Sequence, residues 1–240
     1  MEMNGKFSFQ VHGRRALFSD PVNRIGGEKT SYQFPTYQAL KGICESVYWK
    51  PSIIWHVTRA KIMHPIQTET VGIRPIKYTG KGNELAYYTY LKDVLYEIEA
   101  EFSWNHNRPE LSQDWNWQKH EAMFLRALHK GGRRDIFLGT RECQGYVQPC
   151  NFNSEQGFYD TIPEMSLGVQ FHSFIYPDEM EEKTPDYRSL TANLWRPVLR
   201  YGILTFPRPQ ECEIQREIYK STMKSFVPGI NYSYAEGGDV

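Results

Sequence analysis

Chemistry in this chain would start at Lys119-His120, which follow the aromatic stretch Trp115-Asn116-Trp117. An imidazole ionises near neutral pH, which suits it to carry a proton to or from a reacting oxygen. The adjoining ammonium places positive charge where a phosphate gains negative charge in a transition state. The two indoles offer flat faces on which unpaired bases stack. These are parts for metal-independent RNA cleavage, in which the ribose 2′-hydroxyl attacks its own phosphate and the protein supplies a base, an acid and a cation. In most sequences, however, a lysine–histidine pair at a helix start is simply solvated.

A second constellation is Lys130-Gly131-Gly132-Arg133-Arg134. Paired glycines let a ligand approach the backbone closely, and three cations neutralise phosphates, the arginines through paired hydrogen bonds. The same residues read equally as a glycine-capped helix end whose cations complement the helix dipole. The spacing is not that of a phosphate-binding P-loop, and neither a hydrolase elbow nor a dinucleotide fingerprint occurs. Glu97, Glu99 and Glu101 alternate along a strand, and period-two carboxylates are read as a solvated face rather than a divalent-metal cluster. His56, His64, His106 and His172 lack ligand spacing, so they are assigned structural or surface roles. Cys44, Cys143, Cys150 and Cys212 form no CxxC pair and suggest reduced thiols in a cytosol. No metal and no cofactor is expected.

Several elements must position these groups. Phe7 to Phe18 reads as an opening strand ending in the turn signal Ser19-Asp20-Pro21, followed by a long loop through Gly26-Gly27. A helix starts after Thr36 as N-cap, carries Leu40, Ile43, Cys44 and Val47 on one stripe, and ends near Trp49-Lys50 because of Pro51. Tyr48 then lies on its last turn. Ser52 to Met63 reads as a strand, central first and exposed later. Tyr96 to Trp104 alternates apolar and acidic residues, predicting one buried and one acidic, exposed face. Lys119 to His129 has helical spacing and stops at Gly131-Gly132. Short strands follow over 135–139, 145–149, 168–176 and 202–206, with an acidic loop over 178–186. The order fits an α+β chain: a ferredoxin-like, RNA-recognition-like domain over 1–145, a smaller β-rich part over 146–228 and a polar tail over 229–240.

Composition sets the limits. The 240 residues carry 28 basic and 28 acidic side chains, with 40% hydrophobic and 23% charged residues, which suits a folded chain with a sizeable core. Balanced charge excludes a purely electrostatic nucleic-acid binder and leaves local patches to attract phosphate. Aromatic residues make up 15%, more than a core of this size needs, so some are expected on a recognition surface. No apolar run is long enough to span a membrane, and residues 1–10 lack the pattern of a secretory signal, so a cytoplasmic protein is expected.

Six blocks stand in order along the chain: Ala16-Leu-Phe-Ser-Asp-Pro21, Arg24-Ile-Gly-Gly-Glu-Lys29, Pro35-Thr-Tyr-Gln-Ala-Leu-Lys-Gly42, Glu45-Ser-Val-Tyr-Trp-Lys-Pro51, Gly131-Gly-Arg-Arg-Asp-Ile-Phe-Leu-Gly139 and Arg141-Glu-Cys-Gln-Gly-Tyr-Val147. They resemble the type I-C CRISPR-associated proteins of the Cas five family, subtype d, from about Phe7 to Pro209. The resemblance implies a RAMP-type fold and an endoribonuclease that cuts precursor CRISPR RNA in its repeat, near the hairpin base, without a metal. It implies residence on the crRNA 5′ handle afterwards, beside the backbone and large subunits of the type I-C Cascade complex. It also implies a catalytic trio of Tyr48, Lys119 and His120. An ordinary phenol is a poor base, so Tyr48 is read as orienting the 2′-hydroxyl while His120 shuttles the proton and Lys119 stabilises the pentacoordinate phosphorane. A non-catalytic subunit that caps the RNA handle, as in other CRISPR subtypes, is the alternative.

Overall fold

The computed structural model describes residues 5–21, 27–75, 85–176 and 189–220. Gly26, the acidic loop and the tail named above lie outside the described residues. The chain runs through β1 (Phe7–Ala16), β2 (Lys29–Thr30), α1 (Tyr37–Val47), β3 (Ile53–Ile62), β4 (Thr68–Ile73) and β5 (Ala86–Trp104). A 3-10 turn over Pro109–Asp114 leads into α2 (Trp117–His129), followed by β6 (Ile136–Phe137), β7 (Gln144–Pro149), β8 (Met165–Ser166) and β9 (Gln170–Ile175). Then come β10 (Ser189–Trp195), β11 (Val198–Leu199), β12 (Ile203–Thr205) and β13 (Ile214–Lys220).

The large sheet has the order β12-β3-β5-β1-β7-β6, with β2 and β4 also paired to β5. Its centre, β3-β5-β1-β7, is antiparallel throughout, with α1 joining β1 to β3 and α2 joining β5 to β7. That is the ferredoxin-like arrangement. A smaller three-stranded sheet, β13-β10-β9, is built from the C-terminal part. The fold is therefore α+β. β12, from the same C-terminal part, returns to pair with β3 in the large sheet (Ile203 with Lys61).

Alternation in the sequence shapes the core. Phe7, Phe9 and Val11 of β1 and Tyr96, Ile98, Ala100 and Phe102 of β5 are all buried. Phe124 of α2 packs its ring against Phe7 at 4.8 Å and Trp55 at 5.0 Å, so this sheet face carries the helices.

The acidic face of β5 is not exposed, contrary to expectation. Glu97, Glu99 and Glu101 are buried at 0%, 5% and 5% exposure. Glu99 accepts hydrogen bonds from Arg59, Lys6 and Thr58. Glu101 pairs with Arg208, and Glu97 accepts from the Asn153 backbone N–H at 2.6 Å. Segments that follow β7 fold back over this face. Period two separates two faces of a strand but does not say what later covers the second. The far end of β3 is covered for the same reason: Lys61, 1% exposed, reaches Asp160 at 2.8 Å.

All four cysteines are free thiols. Among the described residues no helix is long and apolar enough to cross a membrane.

Candidate active site

α1 starts as expected, with the Thr36 hydroxyl accepting from the Ala39 N–H. It ends earlier than Pro51 implied. Tyr48 is extended (φ −157°, ψ 124°), although its N–H still donates to the Cys44 carbonyl at 2.9 Å. The Trp55 indole N–H donates to the Tyr48 carbonyl at 2.7 Å, which holds this conformation against β3. The phenol is thereby aimed inward at α2 rather than along the last helical turn.

α2 is capped by the Asn116 side chain, which accepts from the Lys119 N–H at 3.1 Å. This cap sets His120 in the first turn, facing the sheet, and Lys119 facing solvent. The helix stops at Gly131 and Gly132, whose φ of 84° and 106° fall in the left-handed region that side chains avoid. The Gly132 N–H bonds back to the Ala127 carbonyl at 2.8 Å.

The two helices bring the candidate trio together. The Tyr48 hydroxyl lies 2.8 Å from His120 Nδ1. His120 Nε2 lies 2.8 Å from the Asp114 carbonyl oxygen. A carbonyl can only accept, so Nε2 carries the hydrogen and the Nδ1 lone pair receives the phenol O–H in the neutral ring. Lys119 pairs with the Asp114 carboxylate, which also accepts from the Ser52 hydroxyl at 2.5 Å. Phe102 and Trp104 wall the imidazole with ring centroids at 5.9 and 5.5 Å. Both Tyr48 and His120 are fully buried, with 0% exposure.

Electrostatics follow from this burial. Burial pushes the Tyr48 phenol up to about 12; the Asp114 charge adds to the rise and Arg133 opposes it. Burial also acts to raise the Asp114 carboxyl. Hydrogen bonds from Lys119 and Ser52 and the nearby charges outweigh it and hold the group below its ordinary value.

Asp114 and Ser52 did not stand out in the sequence. The one available signal was an aspartate six residues before the histidine, in a polar loop whose 3-10 turn leaves no periodic trace. Trp115 and Trp117 stand beside the trio, half-buried, and both stack within the fold. Trp117 stacks on Phe102 at 4.3 Å and Phe7 at 5.6 Å, and Trp115 on Trp104 at 6.1 Å. The segment Lys130-Gly131-Gly132-Arg133-Arg134 is tied to the end of α1, where the Arg133 and Arg134 N–H groups donate to the Val47 and Ser46 carbonyls. It lines an open depression of about 580 Å³ together with Gln144, Gly145 and Tyr146. Among the described residues no three His, Cys, Asp or Glu side chains are grouped to hold a metal ion.

A ferredoxin-like core with a second β-sheet is an architecture this molecule shares with CRISPR-associated proteins of solved structure. The sequence pattern of the CRISPR-associated protein (Cas_Cas5) family, subtype Cas5d, matches residues 8–207, and the chain belongs to that family. A solved structure described as a CRISPR-associated protein is similar over 90% of this chain and 100% of its own, with TM-score 0.75 and 36% identity. A functionally uncharacterized protein from Streptococcus mutans is similar over 90% of this chain and 99% of its own, with TM-score 0.74 and 38% identity. The CRISPR pre-crRNA endoribonuclease Cas5d of Thermus thermophilus is 29% identical over 154 residues. That match covers 60% of this chain and 64% of the Thermus protein, less than two thirds of its length.

Proposed function

We propose that this protein is a metal-independent endoribonuclease that cuts precursor CRISPR RNA within its repeat, near the hairpin base. It then stays on the crRNA 5′ handle as a subunit of a type I-C Cascade complex. The observation that carries the reading is the hydrogen bond from Tyr48 to His120, made between residues of two different helical connections. In the reaction the 2′-hydroxyl passes its proton to the Tyr48 oxygen as Tyr48 passes its own to His120 Nδ1. The 2′-oxygen attacks phosphorus and the 5′-oxygen departs, leaving a 2′,3′-cyclic phosphate and a 5′-hydroxyl. Lys119 neutralises the phosphorane, and Asp114 stabilises the imidazolium, which returns its proton to the leaving oxygen.

A raised phenol pKa agrees with relay rather than with a free phenolate base. Lys130, Gly131, Gly132, Arg133 and Arg134 are read as the phosphate-binding loop of residues 1–145. Trp115 and Trp117, packed on Trp104 and Phe102 behind the histidine, are read as further RNA contacts, and residues 146–228 form the β-rich part. Because the Tyr48 and His120 rings are covered, the RNA must displace the 109–115 segment to reach them.

That same burial favours a second reading, a non-catalytic subunit that only caps the handle. Repeat RNA incubated with the protein in EDTA discriminates the two. Cyclic-phosphate ends that vanish with His120→Ala support the nuclease. Cleavage that stops on chelation, or that persists in His120→Ala, rejects the proposed mechanism. No cleavage by the unaltered protein supports the capping subunit.

A further inference from the structure

Trp49 follows the candidate tyrosine and turns the opposite way. Tyr48 is extended, so consecutive side chains point to opposite sides, and Trp49 is left 45% exposed while Tyr48 is buried. Its ring lines a groove of about 290 Å³ with Glu45, Lys50, Pro51, Arg133 and Arg134. Glu45 is engaged by Lys41 at 3.8 Å. Lys50, Arg133 and Arg134 have no ion-pair partner among the described residues. The groove thus joins one large exposed aromatic face to three uncompensated cations. Arg133 connects it to the candidate centre, since its charge acts on the Tyr48 hydroxyl.

Resting on the nuclease reading, we propose that this groove is a single-nucleotide site. One unpaired base of the RNA stacks on Trp49, and the phosphates flanking it lie on Arg133, Arg134 and Lys50. Exposed apolar surface is ordinary on a protein, but a tryptophan ringed by free cations matches a base between two phosphates in both shape and charge. Pro51 stiffens the wall, and the Arg133 and Arg134 N–H bonds to Val47 and Ser46 fix the arginine backbone opposite it. The platform in this groove is Trp49; Trp115 and Trp117 lie outside it, stacked on Trp104 and Phe102.

The test is equilibrium binding, which does not depend on cleavage. The RNAs are repeat hairpins carrying a single-stranded flank and a 2′-deoxy nucleotide at the cut site, in versions with one abasic nucleotide walked along the flank. Trp49→Ala should weaken binding of the intact RNA by about tenfold, and Trp49→Phe by far less. The Trp49→Ala defect should disappear for one abasic position only, which locates the stacked base. Unchanged affinity in Trp49→Ala, or an equal loss on every abasic RNA and on a hairpin without a flank, would overturn the site. Coupling at one position together with unaltered cleavage by His120→Ala would uphold the groove and sink the nuclease mechanism instead.

Discussion

The Tyr48 hydroxyl and His120 Nδ1 stand 2.8 Å apart although 72 residues separate them in the chain. The contact is oriented at both ends, by the Trp55 bond to the Tyr48 carbonyl and by the Asp114 carbonyl behind Nε2. A phenol and an imidazole so held share one proton path, which no surface pair of the same residues would have.

Tyr48→Phe removes the relay and keeps the ring. Single-turnover cleavage of repeat RNA should fall by about 100-fold, with the affinity for 2′-deoxy RNA unchanged. Since burial holds the phenol near 12, the pH–rate profile of the unaltered protein should show no limb from phenolate formation below that pH. A limb near the ordinary tyrosine value would place Tyr48 in solvent and contradict the relay.

Asp114→Asn keeps an acceptor for Ser52 but removes the charge that engages Lys119. Lys119 is 46% exposed, so the lost pair should change the melting temperature little, by the equivalent of about 0–1 kcal/mol. The released ammonium should instead tighten RNA binding about threefold and steepen its salt dependence. Filter binding across a salt series reads both effects.

Two buried histidines make stability depend on pH. Burial lowers His56 to about 3, with Arg208 and Lys41 adding to it, and lowers His172 to about 4. In the unfolded chain each titrates near 6.5, so between those values the unfolded state binds more protons. Stability is therefore full above about pH 6.5 and falls as pH drops toward 4, by about 1.4 kcal/mol per pH unit for each histidine. His172 stacks on Tyr37 at 4.5 Å, so His172→Phe should keep the packing and reduce this slope by about half, leaving the His56 share. Thermal melts at pH 7, 6 and 5 give the comparison.

Lys61→Met tests the covered acidic side of the sheet. The Lys61 ammonium donates to Asn153, to the Glu155 carbonyl and to Asp160. Removing it strands Asp160 without its cation and should cost about 3–5 kcal/mol in urea unfolding. A loss below about 1 kcal/mol would mean that the segment around 153–160 peels away without cost.

Much of the fold is legible in the residues themselves. Thr36 caps the first helix, Gly131-Gly132 end the second, and the alternation from Tyr96 to Phe102 marks the buried face of β5, whereas the Asn116 cap, which starts α2 at Trp117 rather than Lys119, did not stand out. These are local matters of capping, backbone freedom and periodicity, which neighbours in sequence decide. The blocks around Glu45-Ser-Val-Tyr-Trp-Lys-Pro51 and Gly131 carried the family as well.

Other features belong to the tertiary structure alone. Whether Glu97, Glu99 and Glu101 meet water depended on segments some 50 and 100 residues later in the chain, Asn153 and Arg208 among them. That Asp114 holds Lys119, and that Trp49 is left exposed beside the buried Tyr48, depended on how a 3-10 turn and an extended tyrosine sit against β3 and β5. Sequence determines what each side chain can do; which of them are left free to do it is decided by long-range packing, because burial and partnership are properties of pairs that the chain order does not contain.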